Sequence, residues 1–373
     1  MFKKIILAFV VIGFCISASA ETTIGKNKEL LVNGKPFFPL FIWAQPANLV
    51  KFWKDLGVNA VVWGDNKNPK EFLDECQKNG IYGILDFDQK VMNHPGLLLW
   101  KIGDEPDMKK DRTSGQIEKT YKNIKRADGR HPVWVNFSPR FFPAYEKMFH
   151  WPLKEYYATA AIVDIVGYDH YPVTGWNKPE RIPEIAAMTK MLREDYAKDR
   201  IPVFTIVEVA DQDLDWTPPE TRGPTAVEMR VQIWMGIISG SKGIGYFSIS
   251  FTPKFKWNNM NSEQAAELKR SNKQISALSE VLCTGDSPFK VDKDNEKINI
   301  LVKEFKDKIY IFAVSLSNSR EKVKLNLQEL KEGKAEVYDE GRSLALSNSV
   351  LSDTFDKYGV HIYIIDKAGS KGK

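Results

Sequence analysis

The chain has 373 residues, 43% of them hydrophobic and 12% aromatic, which is enough apolar material for a large core and a second domain. That composition excludes a disordered chain. The formal charge of +5 falls to +3 once Lys3 and Lys4 are set aside with a leader, and the charges are interspersed with no basic block threaded by aromatics, so no nucleic-acid partner is expected.

Residues 1–20, "MFKKIILAFVVIGFCISASA", pair two lysines with an apolar run and close on Ala18, Ser19 and Ala20. This is the pattern of a cleavable secretory signal, and it predicts a secreted or periplasmic protein cut near Ala20. A membrane anchor is the competing reading, but the apolar stretch is short for a spanning helix and no stop-transfer pattern follows. Phe14, just before Cys15, argues against lipidation. Beyond the leader only Cys76 and Cys283 remain, outside any metal-ligand spacing; a single disulfide and two unpaired structural thiols both fit.

From residue 37 to about 284 one unit recurs: a short apolar run, a polar loop, an amphipathic stretch, then Gly or Pro. The runs "FFPLFIWA", "VNAVVWG", "YGILDF", "GLLLWKIG", "PVWVNFS", "DIVGYDHY", "PVFTIVEV" and "GIGYFSIS" read as eight strands. Between them, "NPKEFLDECQKNG" carries Asn68 as an N-cap, Pro69 at the first helical position, Glu71 for a capping box and Gly80 as a stop. Ser114 to Asp128 sets Ile117, Tyr121 and Ile124 on one helical face. Eight strand-then-helix units predict a (β/α)8 TIM barrel over residues 21–284. An open doubly wound sheet is the alternative, but no Gly-rich phosphate loop follows the first strand, and no cofactor is expected.

After Gly285 the runs "KINILVKEF", "KIYIFAVSLS", "KVKLNLQEL", "KAEVYDEG" and "GVHIYIID" are short and often alternating. They predict a small all-β antiparallel, sandwich-like C-terminal domain over residues 285–367, with residues 368–373 as a frayed tail.

Chemistry concentrates at the carboxyl ends of the barrel strands, where sites on this fold are built. In "WKIGDEPD" two acids and a proline interrupt the fourth apolar run, and Pro106 should hold Glu105 extended at the strand end. Glu208 closes the seventh run in the corresponding place. Two such carboxyls suit glycosidic bond hydrolysis, one protonated to assist the leaving oxygen and one ionised to attack the anomeric carbon. At the ~5 Å separation of a retaining enzyme their repulsion is roughly 3 kcal/mol at an effective dielectric of ~20, enough to keep one protonated near neutral pH. The plain readings are a surface turn for "DEP" and a structural ion pair for Glu208.

These residues resemble the clan A retaining glycoside hydrolases: a barrel with a glutamate after strand four inside an acid-Glu-Pro motif, and another at the end of strand seven. The resemblance spans residues 37–284, and the trailing β domain is similar to accessory domains of such enzymes. It implies Glu105 as acid/base, Glu208 as nucleophile, Tyr171 in "YDHYP" as the tyrosine that contacts the nucleophile, and a carbohydrate substrate. Those enzymes carry Asn before the acid/base; this chain has Asp104, which accepts a hydrogen bond from a sugar hydroxyl but donates none when ionised.

Trp43, Trp63, Trp176 and Trp216 fall at strand ends or in the loops after them, where a ring stacks on a sugar face or simply packs; Trp100 and Trp134 lie within strands and read as core. Asn136, near the end of strand five, is placed to bond a hydroxyl or to cap a turn. His170, with Asp164 and Asp169, lacks tight metal-ligand spacing and reads as a pocket histidine, so no metal is expected. The rival reading is a barrel that has lost catalysis and binds carbohydrate; an inverting hydrolase is a third.

Overall fold

The computed structural model describes residues 21–65, 67–109, 112–145 and 151–367. The expected leader, 1–20, and tail, 368–373, lie outside the described residues. A small antiparallel sheet comes first: β1 (Thr22–Ile24), β2 (Leu30–Val32) and β3 (Lys35–Phe37). The sequence reading placed one strand from residue 37 onward. Instead β3 ends at Phe37 and the barrel starts at Leu40, with Pro39, which has no N–H for a ladder, in the gap.

Eight strands then close a barrel: β4 (Leu40–Gln45), β5 (Ala60–Trp63), β6 (Tyr82–Asp86), β7 (Leu97–Lys101), β8 (Val133–Phe137), β9 (Ile165–His170), β10 (Val203–Glu208) and β11 (Gly243–Phe247). Each lies within the apolar run expected for it, except that β4 runs one residue further, to Gln45. All pair in parallel with their chain neighbours, and β11 returns to β4. β8 through β11 are buried along their whole length, because side chains pack inward on the barrel core and outward under the helices. Inside, Phe41, Trp134 and Phe204 meet with ring centroids 5.2–5.7 Å apart. Gly167 on β9 is required there, since a Cβ at that position would stand 2.7 Å from Trp134 Nε1.

The helices follow their caps. Helix Pro69–Lys78 starts where Asn68 accepts the N–H groups of Lys70 and Glu71, and ends before Gly80, whose φ of 65° suits glycine. Helix Ser114–Ala127 opens with a Thr113–Gln116 capping box and buries Ile117 and Ile124, while Tyr121 gives its hydroxyl to Asp164 at 2.9 Å.

The C-terminal domain is antiparallel and larger than expected: β12 (Val291–Lys293), β13 (Ile298–Phe305), β14 (Lys308–Ser315), β15 (Glu321–Leu327), β16 (Glu332–Val337), β17 (Arg342–Ser347), β18 (Val350–Phe355) and β19 (Val360–Asp366). The sandwich-like arrangement is one continuous sheet, ordered β12-β15-β18-β17-β16-β19-β14-β13. Its two halves share one core, in which Leu325 and Leu351 from one half join Ile311 and Ile365 from the other. The opposite face is not free: Trp234, on helix Ala226–Ile238, stacks on Phe312 at 5.9 Å, and Val314 and Ile362 belong to the same core as the barrel's helical shell. Cys76 and Cys283 are both buried and both free thiols.

Candidate active site

A cavity of about 640 Å³ opens at the carboxyl ends of the strands, within the usual range for small-ligand sites. Asp104 and Glu105 enter it from the loop after β7, Asn136 and Arg140 from β8 and beyond, Asp169 and Tyr171 from the end of β9, and Trp43 from β4.

Glu105 is not the last residue of an extended strand. β7 ends at Lys101, and Glu105 sits four residues on with φ 39° and ψ 63°, the left-handed region. Pro106 disfavours only the right-handed helical conformation of its predecessor, so this is the other way to satisfy it. A non-glycine residue held there stores strain that its surroundings must offset. Both flanks are tied. Upstream, Asp86 accepts Gly103 N–H at 3.2 Å and pairs with Lys101 at 2.7 Å. Downstream, the fully buried Asp107 accepts the Ser138 N–H and hydroxyl at 3.1 and 2.5 Å and the Tyr156 hydroxyl at 2.9 Å.

The carboxyls of this cavity sense one another. Glu105 is raised far above the ordinary glutamate range, first by burial and then by the charges of Asp169, Asp104 and Asp107, with Arg140 pulling the other way. Asp169 is raised by burial and by the charge of Asp104, while hydrogen bonds from Asn136 and Tyr171 oppose the rise. Asp104 is open to the cavity yet ringed by protein atoms, and that desolvation raises it too. Like charges in a poorly solvated pocket cannot all ionise, so the cluster holds at least one proton at neutral pH.

Asn136 sets the far wall. Its Nδ2 donates to Asp169 Oδ1 at 3.0 Å, and its buried Oδ1 has no protein partner. The amide therefore orients Asp169 and keeps an acceptor for a ligand hydroxyl. His170 lines the cavity and is kept neutral by burial; its Nε2 lies 3.5 Å from Glu184, which also accepts the Tyr145 hydroxyl at 2.6 Å. Among the described residues no group of three His, Cys, Asp or Glu side chains could hold a metal.

Three expectations are corrected by this geometry. Glu208 does not line the cavity. It is fully buried, and its oxygens accept the N–H groups of Val173 at 2.8 Å and Thr174 at 2.7 Å and the Gln232 amide at 3.3 Å. Burial pushes its carboxyl up to about 8, while those donors hold it down and the Glu228 charge adds to the rise. Tyr171 accordingly meets Asp169 rather than Glu208, and the charges of Asp169, Glu105 and Asp104 bear on its phenol. Trp63 lies outside the cavity, its Nε1 donating to Asp65 at 2.9 Å and its ring against Phe72.

Trp43, Asp104, Glu105, Asn136, His170 and Tyr171 do come together, joined by Trp176 and Trp216. Sequence reasoning noted Asp169 only as a metal candidate and passed over Arg140, Phe247 and Phe251. The signal for Asp169 was present, because "GYDHY" puts an acid at the end of strand six just as "TIVEV" does for strand seven. The aromatic wall carried no such sign. Phe247 stands 5.0 Å from Tyr171 and is stacked with Phe251 at 6.3 Å, and Trp216 is 73% exposed at the rim.

No family model matches this chain, and no curated protein does. Solved structures do. One described as a glycoside hydrolase family 5 protein from Bacteroides vulgatus is 13% identical, with 95% of each chain covered and a TM-score of 0.60. A family 42 β-galactosidase from G. stearothermophilus is 9% identical over 88% of this chain and 98% of its own, with a TM-score of 0.63. An α-amylase from Geobacillus thermoleovorans, complexed with acarbose, is 11% identical over 89% of this chain and 99% of its own, with a TM-score of 0.58. At these identities the likeness is one of fold: a parallel eight-stranded barrel followed by an antiparallel β domain, the architecture of glycoside hydrolases.

Proposed function

We propose that this protein is a glycoside hydrolase that cleaves O-glycosidic bonds of an oligo- or polysaccharide, with Glu105 as the general acid and Asp169 as its ionised partner. The observation that carries the reading is the convergence of Glu105 and Asp169 in one aromatic-walled cavity, where the Asp169 charge helps to keep Glu105 protonated. Splitting two neighbouring carboxyls into one acid and one anion is what this chemistry requires. The fold neighbours include an α-amylase and a β-galactosidase, which supports a saccharide substrate.

Both carboxyls line the one cavity, and the reading adopted for the pair is a retaining double displacement. Asp169, oriented by Asn136 and Tyr171, attacks the anomeric carbon while Glu105 protonates the departing oxygen. Glu105 then takes a proton from the water that frees the sugar. Asp104, open beside Glu105, accepts from a sugar hydroxyl. A displacement through two glutamates would need a Glu208 oxygen facing the substrate, and both are engaged by protein donors. Secretion or a periplasmic location is proposed on the leader pattern of residues 1–20.

The test is a reducing-end assay on a panel of aryl glycosides and polysaccharides, with NMR of the first anomer released. Release from the polysaccharides that falls about 10²–10⁴-fold in Glu105→Gln, with activated aryl glycosides far less affected, supports the reading, and an inverted first product would replace displacement by direct water attack. The closure of Glu208 and the presence of Asp104 favour a second reading, a barrel that holds glycan without cutting it. Retention of glycan with no reducing ends in any arm would establish that instead.

A further inference from the structure

The opposite end of the barrel contains another cavity, of about 150 Å³, lined by none of the active-site residues. It is bounded by the turn between β1 and β2, the amino ends of β10 and β11, and the start of the C-terminal domain. Five cationic side chains line it: Lys26, Lys28, Arg193, Lys242 and Lys303. The acids lining it are Asp199 and Asp286, and each is engaged. Asp286 lies 3.1 Å from Lys303, whose ammonium also donates to the carbonyls of Thr284 at 2.9 Å and Gly285 at 3.2 Å. Asp199 lies 3.5 Å from Arg193 Nε, and Arg193 also pairs with Glu194. Behind the lining, Glu29 accepts Asn27 N–H at 2.8 Å.

Lys242 has no such partner. Its backbone is fixed, the N–H donating to Val203 O at 2.8 Å, but its ammonium makes no hydrogen bond or ion pair among the described residues. Lys26 and Lys28 have no ion pair among them either. Burial and the neighbouring Lys303 charge pull Lys242 down to about 8, while the charges of Asp286 and Glu29, neither of them hydrogen-bonded to it, act in the other direction. A desolvated ammonium beside a second one is unfavourable unless an anion joins them.

We infer that this basal cavity is a binding site for a small tetrahedral oxyanion, phosphate or sulfate, held chiefly by Lys242 with Lys26 and Lys28 closing over it. The occupant is small because the cavity is, and anionic because the unpaired groups that face it are ammoniums. Such an ion would tie the β1–β2 turn, the barrel base and the C-terminal domain together. Nothing in this inference depends on the proposed hydrolase activity.

The experiment is thermal unfolding and calorimetric titration of the whole chain with sodium phosphate and with sodium sulfate, against sodium chloride at equal ionic strength. The expected result is a saturable rise in Tm and one-site binding in the wild type for either oxyanion, weakened at least tenfold in Lys242→Met. Equal shifts in wild type and variant, or none beyond chloride, would overturn the site. Should Lys242→Met fail to fold, the pair Lys26→Ser with Lys28→Asn serves, asparagine being tolerated at the left-handed φ of 64° of residue 28. Undiminished binding in that pair would likewise overturn it.

Discussion

Glu208 accepts the N–H of Thr174 at 2.7 Å, so the end of β10 carries the loop that follows β9. Val173 N–H is held by the same carboxyl at 2.8 Å, and this loop brings Tyr171 and Trp176 to the cavity. Replacing Glu208 with Ala strands two buried amides, at about 1–3 kcal/mol for each unsatisfied group. We expect Glu208→Ala to lose on the order of 3 kcal/mol in urea unfolding, to lose activity through displacement of the loop, and to gain nothing from added azide. A Glu208→Ala variant as stable as wild type, inactive and rescued by azide would restore the nucleophile role to this residue.

Glu105→Gln separates chemistry from stability. Turnover of a natural glycoside should fall about 10²–10⁴-fold, the usual worth of general acid catalysis. Stability should respond in the opposite direction. Glu105 binds its proton more tightly folded than unfolded, so its contribution is favourable at low pH and is lost as pH rises above the ordinary glutamate range. Urea unfolding at pH 5 and pH 8 should therefore show the variant gaining on wild type at the higher pH.

The pH profile tests the pairing itself. With Asp169 raised and Glu105 raised further, kcat/KM should be bell-shaped with its acidic limb above the ordinary aspartate range. On an aryl glycoside whose leaving group needs no acid, Glu105 is neutral where Asp169 titrates, so Glu105→Gln should leave the acidic limb in place, whereas Asp104→Asn removes the charge that raises Asp169 and should move that limb to lower pH. An unmoved limb in Asp104→Asn would assign it to another group.

The two tryptophans that looked alike in sequence should behave differently. Trp216 is 73% exposed at the cavity rim, and Trp63 lies outside the cavity. Trp216→Ala should raise KM for oligosaccharides about 2- to 10-fold, matching an aromatic contact of about 0.5–1.5 kcal/mol, with Tm unchanged. Trp63→Ala should leave KM as it is and lower Tm instead.

The barrel was legible because its strands are short apolar runs buried on both faces and bounded by Gly, Pro and capping residues, all local signals. Within the C-terminal sheet, β17 and β18 escaped notice because "RSLALS" and "VLSDTF" are half-exposed strands with few apolar side chains. The site was half legible. Asn136 stands out by its place near a strand end, Glu105 by the acid-Glu-Pro motif after strand four, and Tyr171 only through the resemblance to clan A hydrolases. Glu208 occupies an equivalent place, and two residues earlier Ile206 pairs with Asp169 across the ladder. What closes it off from the cavity is the backbone of residues 173 and 174 folding over it, and backbone amides leave no trace in side-chain pattern. The left-handed turn at Glu105 was hidden for the same reason.

The two buried thiols bear on how the protein can be made. Cys76 and Cys283 sit unbonded in the interior, so no disulfide contributes to the fold among the described residues. Folding then needs neither an oxidant nor disulfide shuffling, and a polypeptide beginning at Glu21 and produced in a reducing cytoplasm should be covalently identical from there on to one exported and trimmed.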